Sequence, residues 1–276
     1  MFYNAVLNEL MKDKTNPVNQ MYLHEIELKW KEVQKAITED IESGQNNNMI
    51  SAINDFVEAI SNQKYRYDKL KRKGFHSDSQ LFSSYYIGDI LTVMLNRTGV
   101  LENHGVKWGF QKFDCMPTYV PENILDDEKI PNLESVKSSN FLMLTVTMDF
   151  QYRIEGRRTF EKSQQVFPLI IFGLYKSLDN NKFDNCEEQA MLAKKVFPKS
   201  KFMIIAETLR EDFVPDVSKS HVDSLFVLRK QFLNIRKKRN KIALDVVNVV
   251  EKKVLDYLNL KEKNRADIFK SRGILE

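Results

Sequence analysis

Two stretches of the chain hold residue types able to hydrolyse a phosphodiester. In LTVTMDFQ, Asp149 falls on the polar side of a strand-like alternation, and in VFPLIIFGLYKSLDN an apolar run ends on Tyr175, Lys176 and Asp179. Two carboxylates and a lysine converging at the end of a mixed sheet make such a centre. The acids hold Mg²⁺, the metal stabilises charge on the phosphate, and the lysine positions or activates water. An acid on one strand and Glu-x-Lys on its neighbour meets the geometry, because positions i and i+2 share a face. Here the end of the apolar run reads Gly173-Leu174-Tyr175, and Lys176 follows one position later, on the opposite face of a regular strand.

The elements that must position these residues follow from periodicity. From Pro17 to about Asn96, Tyr22, Ile26, Trp30, Val33 and Ile37 recur every three or four residues, as do Ile50, Ile53, Phe56, Val57 and Ile60. This predicts helices, broken at Ser43-Gly44 and at Lys73-Gly74, with a third over Ser79 to Asn96 that turns Leu81, Tyr85, Leu91 and Met94 inward. Residues 99–139, punctuated by Gly99, Gly105, Gly109, Pro117, Pro121 and Pro131, read as loop with a few short strands. From Asn140 the period becomes two: Leu142, Leu144, Val146, Met148 and Phe150 on one face, Thr145, Thr147, Asp149 and Gln151 on the other. Glu155-Gly156-Arg157-Arg158 is an expected turn, and Val166 to Tyr175 an expected strand covered on both faces. The next helix has Asp184 as its expected cap, Glu187 completing a capping box, and Pro198 as its stop. Strands are expected at Lys201–Ala206 and Ser224–Leu228, so strand, helix and strand predict a βαβ crossover and a mixed sheet. A closing helix over Lys241 to Leu258 carries Ile242, Val246, Val249, Val250 and Leu255 as its apolar stripe. The expected fold class is α/β (α+β): a helical region 1–98, a loop-rich connector 99–139, an α/β core 140–235, and a basic segment with a C-terminal helix, 236–276.

Composition narrows the classes of function. With 276 residues, 42% hydrophobic and 29% charged, the chain suffices for one large domain or two modest ones, and its longest apolar run is too short to cross a bilayer. MFYNAVLNELMKDK is amphipathic and has no secretory apolar core. Cys115 and Cys186 lie in different segments, and His24, His76, His104 and His221 show no zinc-ligand spacing, so two free thiols in a reducing cytoplasm are expected. The formal net charge is only +4, but cations cluster: Lys69, Lys71, Arg72 and Lys73; Arg157 and Arg158; Arg229, Lys230, Arg236, Lys237, Lys238, Arg239 and Lys241. Such groups either neutralise phosphates or form solvated faces.

Order and context add to these motifs. The run from about Asn140 to Lys230 resembles the core of the BbvCI-like heterodimeric type II restriction endonucleases of the PD-(D/E)xK nuclease superfamily. The resemblance rests on Met148-Asp149-Phe150, Pro168 opening the apolar strand, Leu178-Asp179, Asp184-Asn185-Cys186, Phe197-Pro198, Ile205-Ala206-Glu207, and Val222 to Arg229. It covers about a third of the chain. It implies that the metal-binding Asp is Asp149 and that the Glu and Lys of the motif fall on Gly173 and Tyr175, whether counted from Pro168 or from Leu178-Asp179. Glycine ligates no metal and tyrosine carries no positive charge, so the motif is broken as written. Repair requires a β-bulge at Gly173 to re-aim Lys176, and a carboxylate from Glu161, Asp179, Glu187 or Glu207.

The resemblance implies a cytoplasmic subunit of a restriction endonuclease that binds double-stranded DNA, is defective in cleavage, and pairs with a related catalytic subunit as a heterodimer. Two alternatives stand beside it: an active Mg²⁺-dependent endonuclease using Asp149, Lys176 and Glu207, and a non-catalytic interaction protein on the same fold. Each site residue also has a plainer reading. Asp149 is then a strand-end acid on backbone amides, Glu207 a structural partner, Leu174 and Tyr175 core, Pro215-Asp216 a turn, and Asp89 an exposed helix residue.

Overall fold

A computed structural model describes residues 1–12, 17–60, 79–102, 105–113, 139–153, 160–211, 213–233 and 239–272. Four helices come first: α1 (Phe2–Met11), α2 (Pro17–Ser43), α3 (Asn47–Ile60) and α4 (Ser79–Arg97). Gly44, at φ 69°, supplies the left-handed residue that ends α2. Buried Asp40 reaches forward from α2 to accept the backbone N–H groups of Asn48 at 3.3 Å and Met49 at 2.8 Å, which start α3. Then follow β1 (Val106–Phe113), β2 (Ser139–Arg153), β3 (Phe160–Leu178), α5 (Asn180–Val196), β4 (Lys201–Arg210), β5 (Ser224–Val227), β6 (Phe232–Leu233) and α6 (Leu244–Arg272).

The six strands form one mixed sheet in the order β1-β2-β3-β4-β5, with β6 pairing β4 beyond the end of β5. β1, β2 and β3 are antiparallel neighbours, whereas β3, β4 and β5 run parallel, and α5 is the crossover that parallel pairing requires. Pro168 has no N–H to give the ladder, and it lies in β3 where the register with β2 slips between Leu144 and Thr145. This is the mixed α/β architecture the periodicity predicts.

The sheet is buried on both faces. One carries a large core in which Leu142, Leu144, Ile170, Phe172, Met203 and Ile205 meet apolar residues of α1, α2, α3, α4 and α6. Trp30, fully buried, packs against Tyr3 at 4.2 Å and Phe56 at 5.1 Å between ring centroids. The opposite face, with Phe141, Met143, Ile171, Phe202, Ile204 and Ala206, is covered by α5 through Phe183, Cys186, Ala190 and Ala193. The helical region and the α/β core therefore share one hydrophobic core.

Three local expectations are corrected. Helix α5 is capped five residues before the expected cap: Asp179 is its N-cap, accepting from the Lys182 N–H at 3.1 Å, and Asp184 lies exposed inside the helix. The buried stripe of α6 is Val247, Val250 and Val254, so Val249 is 50% exposed. Asp89 is fully buried, accepting the backbone N–H groups of Phe2 at 2.6 Å and Tyr3 at 3.0 Å that open α1. Burial pushes its carboxyl up to about 6 against the pull of those two N–H groups.

Candidate functional site

Gly173 and Tyr175 point toward α5, into the smaller core. The Tyr175 hydroxyl meets Cys186 Sγ at 3.0 Å, and a Cβ added to Gly173 would stand 3.1 Å from that sulfur and 3.1 Å from the Tyr175 ring. Burial raises the Tyr175 phenol far above its ordinary value, and it pushes the Cys186 thiol up to about 12. Both groups are thus neutral packing elements. The positions of Gly173 and Tyr175 are filled by a plug packed under a helix, where any side chain at Gly173 would have to displace the Cys186 sulfur or the Tyr175 ring.

Lys176 turns to the other face, as a regular strand dictates. It lies next to the β4 position of Glu207, since Tyr175 pairs with Ala206 and Ser177 with Thr208. Glu207, 1% exposed, accepts from Arg229 Nε at 2.7 Å, and the Arg229 side chain is 4% exposed. Tyr86 of α4 stands against both, its phenol raised first by burial and then by the Glu207 charge. Burial lowers the Lys176 pKa, as do the charges of Arg239 and Arg229, while Glu207 opposes them. Tyr86 Oη, Glu207 Oε1 and Arg229 Nη2 are buried without a well-formed hydrogen bond among the described residues. So β3, β4 and the segments after β5 and β6 bring four sequence-predicted residues, Lys176, Glu207, Arg229 and Arg239, to the C-terminal ends of the parallel strands. In open α/β sheets that end is where ligands bind.

Asp149 does not join them. It pairs with Gln164 on β3. Lys176 is twelve residues further along that strand (164 to 176), about 40 Å at an extended strand's rise. The expected convergence of Asp149 with residues 173–176 is corrected on this register: the hairpin continues well past Asp149's pairing partner. Glu161 lies further away still, opposite Tyr152. Of the other candidate carboxylates, Asp179 caps α5, and Glu187 accepts both the N–H of His221 at 2.8 Å and its ring nitrogen at 2.6 Å. Asp216 caps a short 3₁₀ turn through Ser218, as its turn reading requires.

Among solved structures the chain matches one described as the native BbvCI A2B2 tetramer at low resolution, with a TM-score of 0.58 and 13% identity, over 95% of this chain and 98% of that one. The fold is restriction-endonuclease-like. Neither a family model nor a curated protein matches the sequence.

On this restriction-endonuclease-like fold, the donor set at the strand ends does not suit a divalent metal. Mg²⁺ requires oxygen ligands, and the Glu207 carboxylate is held by a guanidinium with Lys176 and Arg239 in electrostatic range. Among the described residues no group of three or more His, Cys, Asp or Glu is placed to hold a metal ion, and no helix is long and apolar enough to cross a membrane. Of the cationic clusters, Lys230, Arg239 and Lys241 are exposed, Lys230 pairing with Asp245 and Lys241 lying 3.9 Å from Asp55 of α3, whereas buried Arg229 is a structural partner of Glu207. Lys69, Lys71, Arg72, Lys73, Arg157, Arg158, Arg236, Lys237 and Lys238 lie outside the described residues. What sequence reasoning missed is Tyr86. It carries no motif, and only the packing of α4 over the sheet brings it to Glu207.

Proposed function

We propose that the chain is a cytoplasmic, DNA-binding subunit of a type II restriction endonuclease that does not itself cleave and works beside a related catalytic subunit. The observation that carries this reading is the plug of Gly173, Tyr175 and Cys186 on an otherwise intact fold. It lies where the sequence resemblance puts an acid-x-lysine pair, and the carboxylate of Glu207 is paired with Arg229. The exposed cations Lys230 and Arg239 at the strand ends, with Lys241 close by in the chain, supply charge for phosphate contacts. The BbvCI match is an assembly of two kinds of chain, which supports pairing with a related subunit.

The test mixes the purified chain with a related subunit that retains an acid and an intact Glu-x-Lys. Duplex binding by this chain whose affinity falls steeply with salt, and cleavage that needs the partner's Glu-x-Lys, are the expected results. Absence of salt-sensitive binding overturns the reading in favour of an interaction protein.

A further inference from the structure

The side of the sheet end that carries the exposed cations is tied together by residues that carry none of the exposed charge. Arg229, two residues past β5, and Asn240, four residues before α6, exchange hydrogen bonds: Arg229 Nη1 donates to the Asn240 carbonyl, and Asn240 Nδ2 donates to the Arg229 carbonyl at 3.3 Å. Asn240 N–H donates to Gln231 Oε1 at 2.7 Å. The guanidinium is fixed in turn by Glu207, and its backbone N–H donates to the Glu207 carbonyl at 3.0 Å. Beyond Asn240 the chain stays anchored, with Ile242 N–H on Asn54 Oδ1 at 2.7 Å and Ala243 N–H on the Leu228 carbonyl at 2.7 Å.

Each clamp residue has an exposed cation as its chain neighbour: Lys230 follows Arg229, and Arg239 precedes Asn240. Lys230 adopts a left-handed backbone, φ 46°, which a lysine takes only where its surroundings over-determine it. Its N–H closes a turn onto the Val227 carbonyl at 3.2 Å, and its ammonium pairs with Asp245. A glycine would relieve that backbone strain, so the lysine side chain is held at this place at a cost in stability.

We propose that the Arg229–Asn240–Gln231 clamp is a positioning device for DNA binding: it fixes the separation of Lys230 and Arg239 so that both meet phosphates together, while Arg229 itself touches no nucleic acid. The inference rests on the DNA-binding reading above. A cation held in advance gives more of its attraction to the phosphate, because less side-chain and backbone freedom is lost on binding.

The test is the full chain carrying Asn240→Ala with Gln231→Ala, which leaves the Glu207–Arg229 pair and every cation in place. Duplex DNA affinity is measured against salt concentration, with thermal unfolding as a control. The expected result is an affinity loss of about fivefold or more and a salt slope shallower by about 1 to 2, the size of one or two phosphate contacts. In a Lys230→Ala/Arg239→Ala background the clamp substitutions add no further loss. A direct Asn240 contact to a base would lower affinity and leave the slope unchanged, and that outcome overturns the proposal. So does wild-type binding by the clamp variant, or a loss additive with that of the two cations. Should the double variant fail to fold, Gln231→Ala alone is expected to show part of the slope change, and a wild-type slope there counts against the clamp. If the wild-type chain itself shows no salt-sensitive binding, the DNA-binding reading fails and the clamp's role with it.

Discussion

Whether a residue at a motif position can do chemistry depends on which face its strand presents and what already occupies that face. Gly173 is small because Tyr175 and Cys186 fill the space above it, so reinstating the motif residue is expected to damage the fold before it restores a site. Gly173→Glu should lower stability by about 3 kcal/mol or more, since it buries a carboxylate with no partner in a packed core. Urea unfolding of this variant, with the signal from DNA-free protein, checks the claim, and wild-type stability would refute the plug. The Glu207–Arg229 pair belongs to the same scale. Arg229→Met leaves a buried carboxylate unpaired and should cost about 3 to 5 kcal/mol, whereas Arg229→Met combined with Glu207→Leu should recover most of that loss. Recovery in the double variant distinguishes an ion pair from a cation whose main task lies elsewhere. The residue types at these positions were legible in the sequence: glycine and tyrosine predict no metal ligand. That Glu207 finds Arg229, and that both find Tyr86, depends on side-chain packing across three elements, which residue spacing along the chain does not encode.

Among elements, the long periodic ones were the most legible. The expected helix over Ser79 to Asn96 is α4, Ser79–Arg97, and the strands expected at Lys201 and Ser224 begin at those residues. Signals that two residues can satisfy equally well misled. Asp179 and Asp184 both have the side chain of a helix cap, and only the end of β3 at Leu178 decides for Asp179. The strand alternation around Asp149 marks a strand correctly, yet a two-residue period cannot say which partner residue lies opposite. The register, with its slip at Thr145, is set by Pro168 and by the length of β3. Helix α1 is attached by a device with no local signature, the carboxylate of Asp89 capping Phe2 and Tyr3 from a different helix. Its folded-state pKa of about 6 lies above the value near 4 expected in the unfolded chain. Between those values the folded state holds a proton the unfolded state has released, so this group removes stability as pH rises from 4 to 6. The stability of wild type relative to Asp89→Asn should therefore fall by on the order of 3 kcal/mol between pH 4 and pH 7, with most of the change below pH 6. Parallel stability profiles for the two proteins would show that Asp89 does not carry a buried charge.

At the scale of the whole molecule, a restriction-endonuclease-like sheet is kept and its two faces are assigned different tasks. The face under α5 is closed by the packing of Gly173 and Tyr175 against Cys186. The opposite face carries the helices, and at the C-terminal ends of its parallel strands lie Lys176, the Glu207–Arg229 pair and the exposed cations beside it. Fold class was readable because apolar runs and helix periods recur over many residues, and the fold extends over nearly all of the matched BbvCI chain. Gly173 and Tyr175, where the resemblance puts an acid and a lysine, were readable as residue types, and the register of β2 against β3 adds that Asp149 pairs with Gln164, well before them on β3. The central claim is that the isolated chain grips DNA without cutting it. Incubating the purified full-length chain with Mg²⁺ and supercoiled plasmid, at protein concentrations that saturate binding, tests it most directly. The prediction is a fully bound but uncut plasmid; specific double-strand cleavage by the isolated chain, abolished by Lys176→Ala or Asp149→Ala, would contradict it.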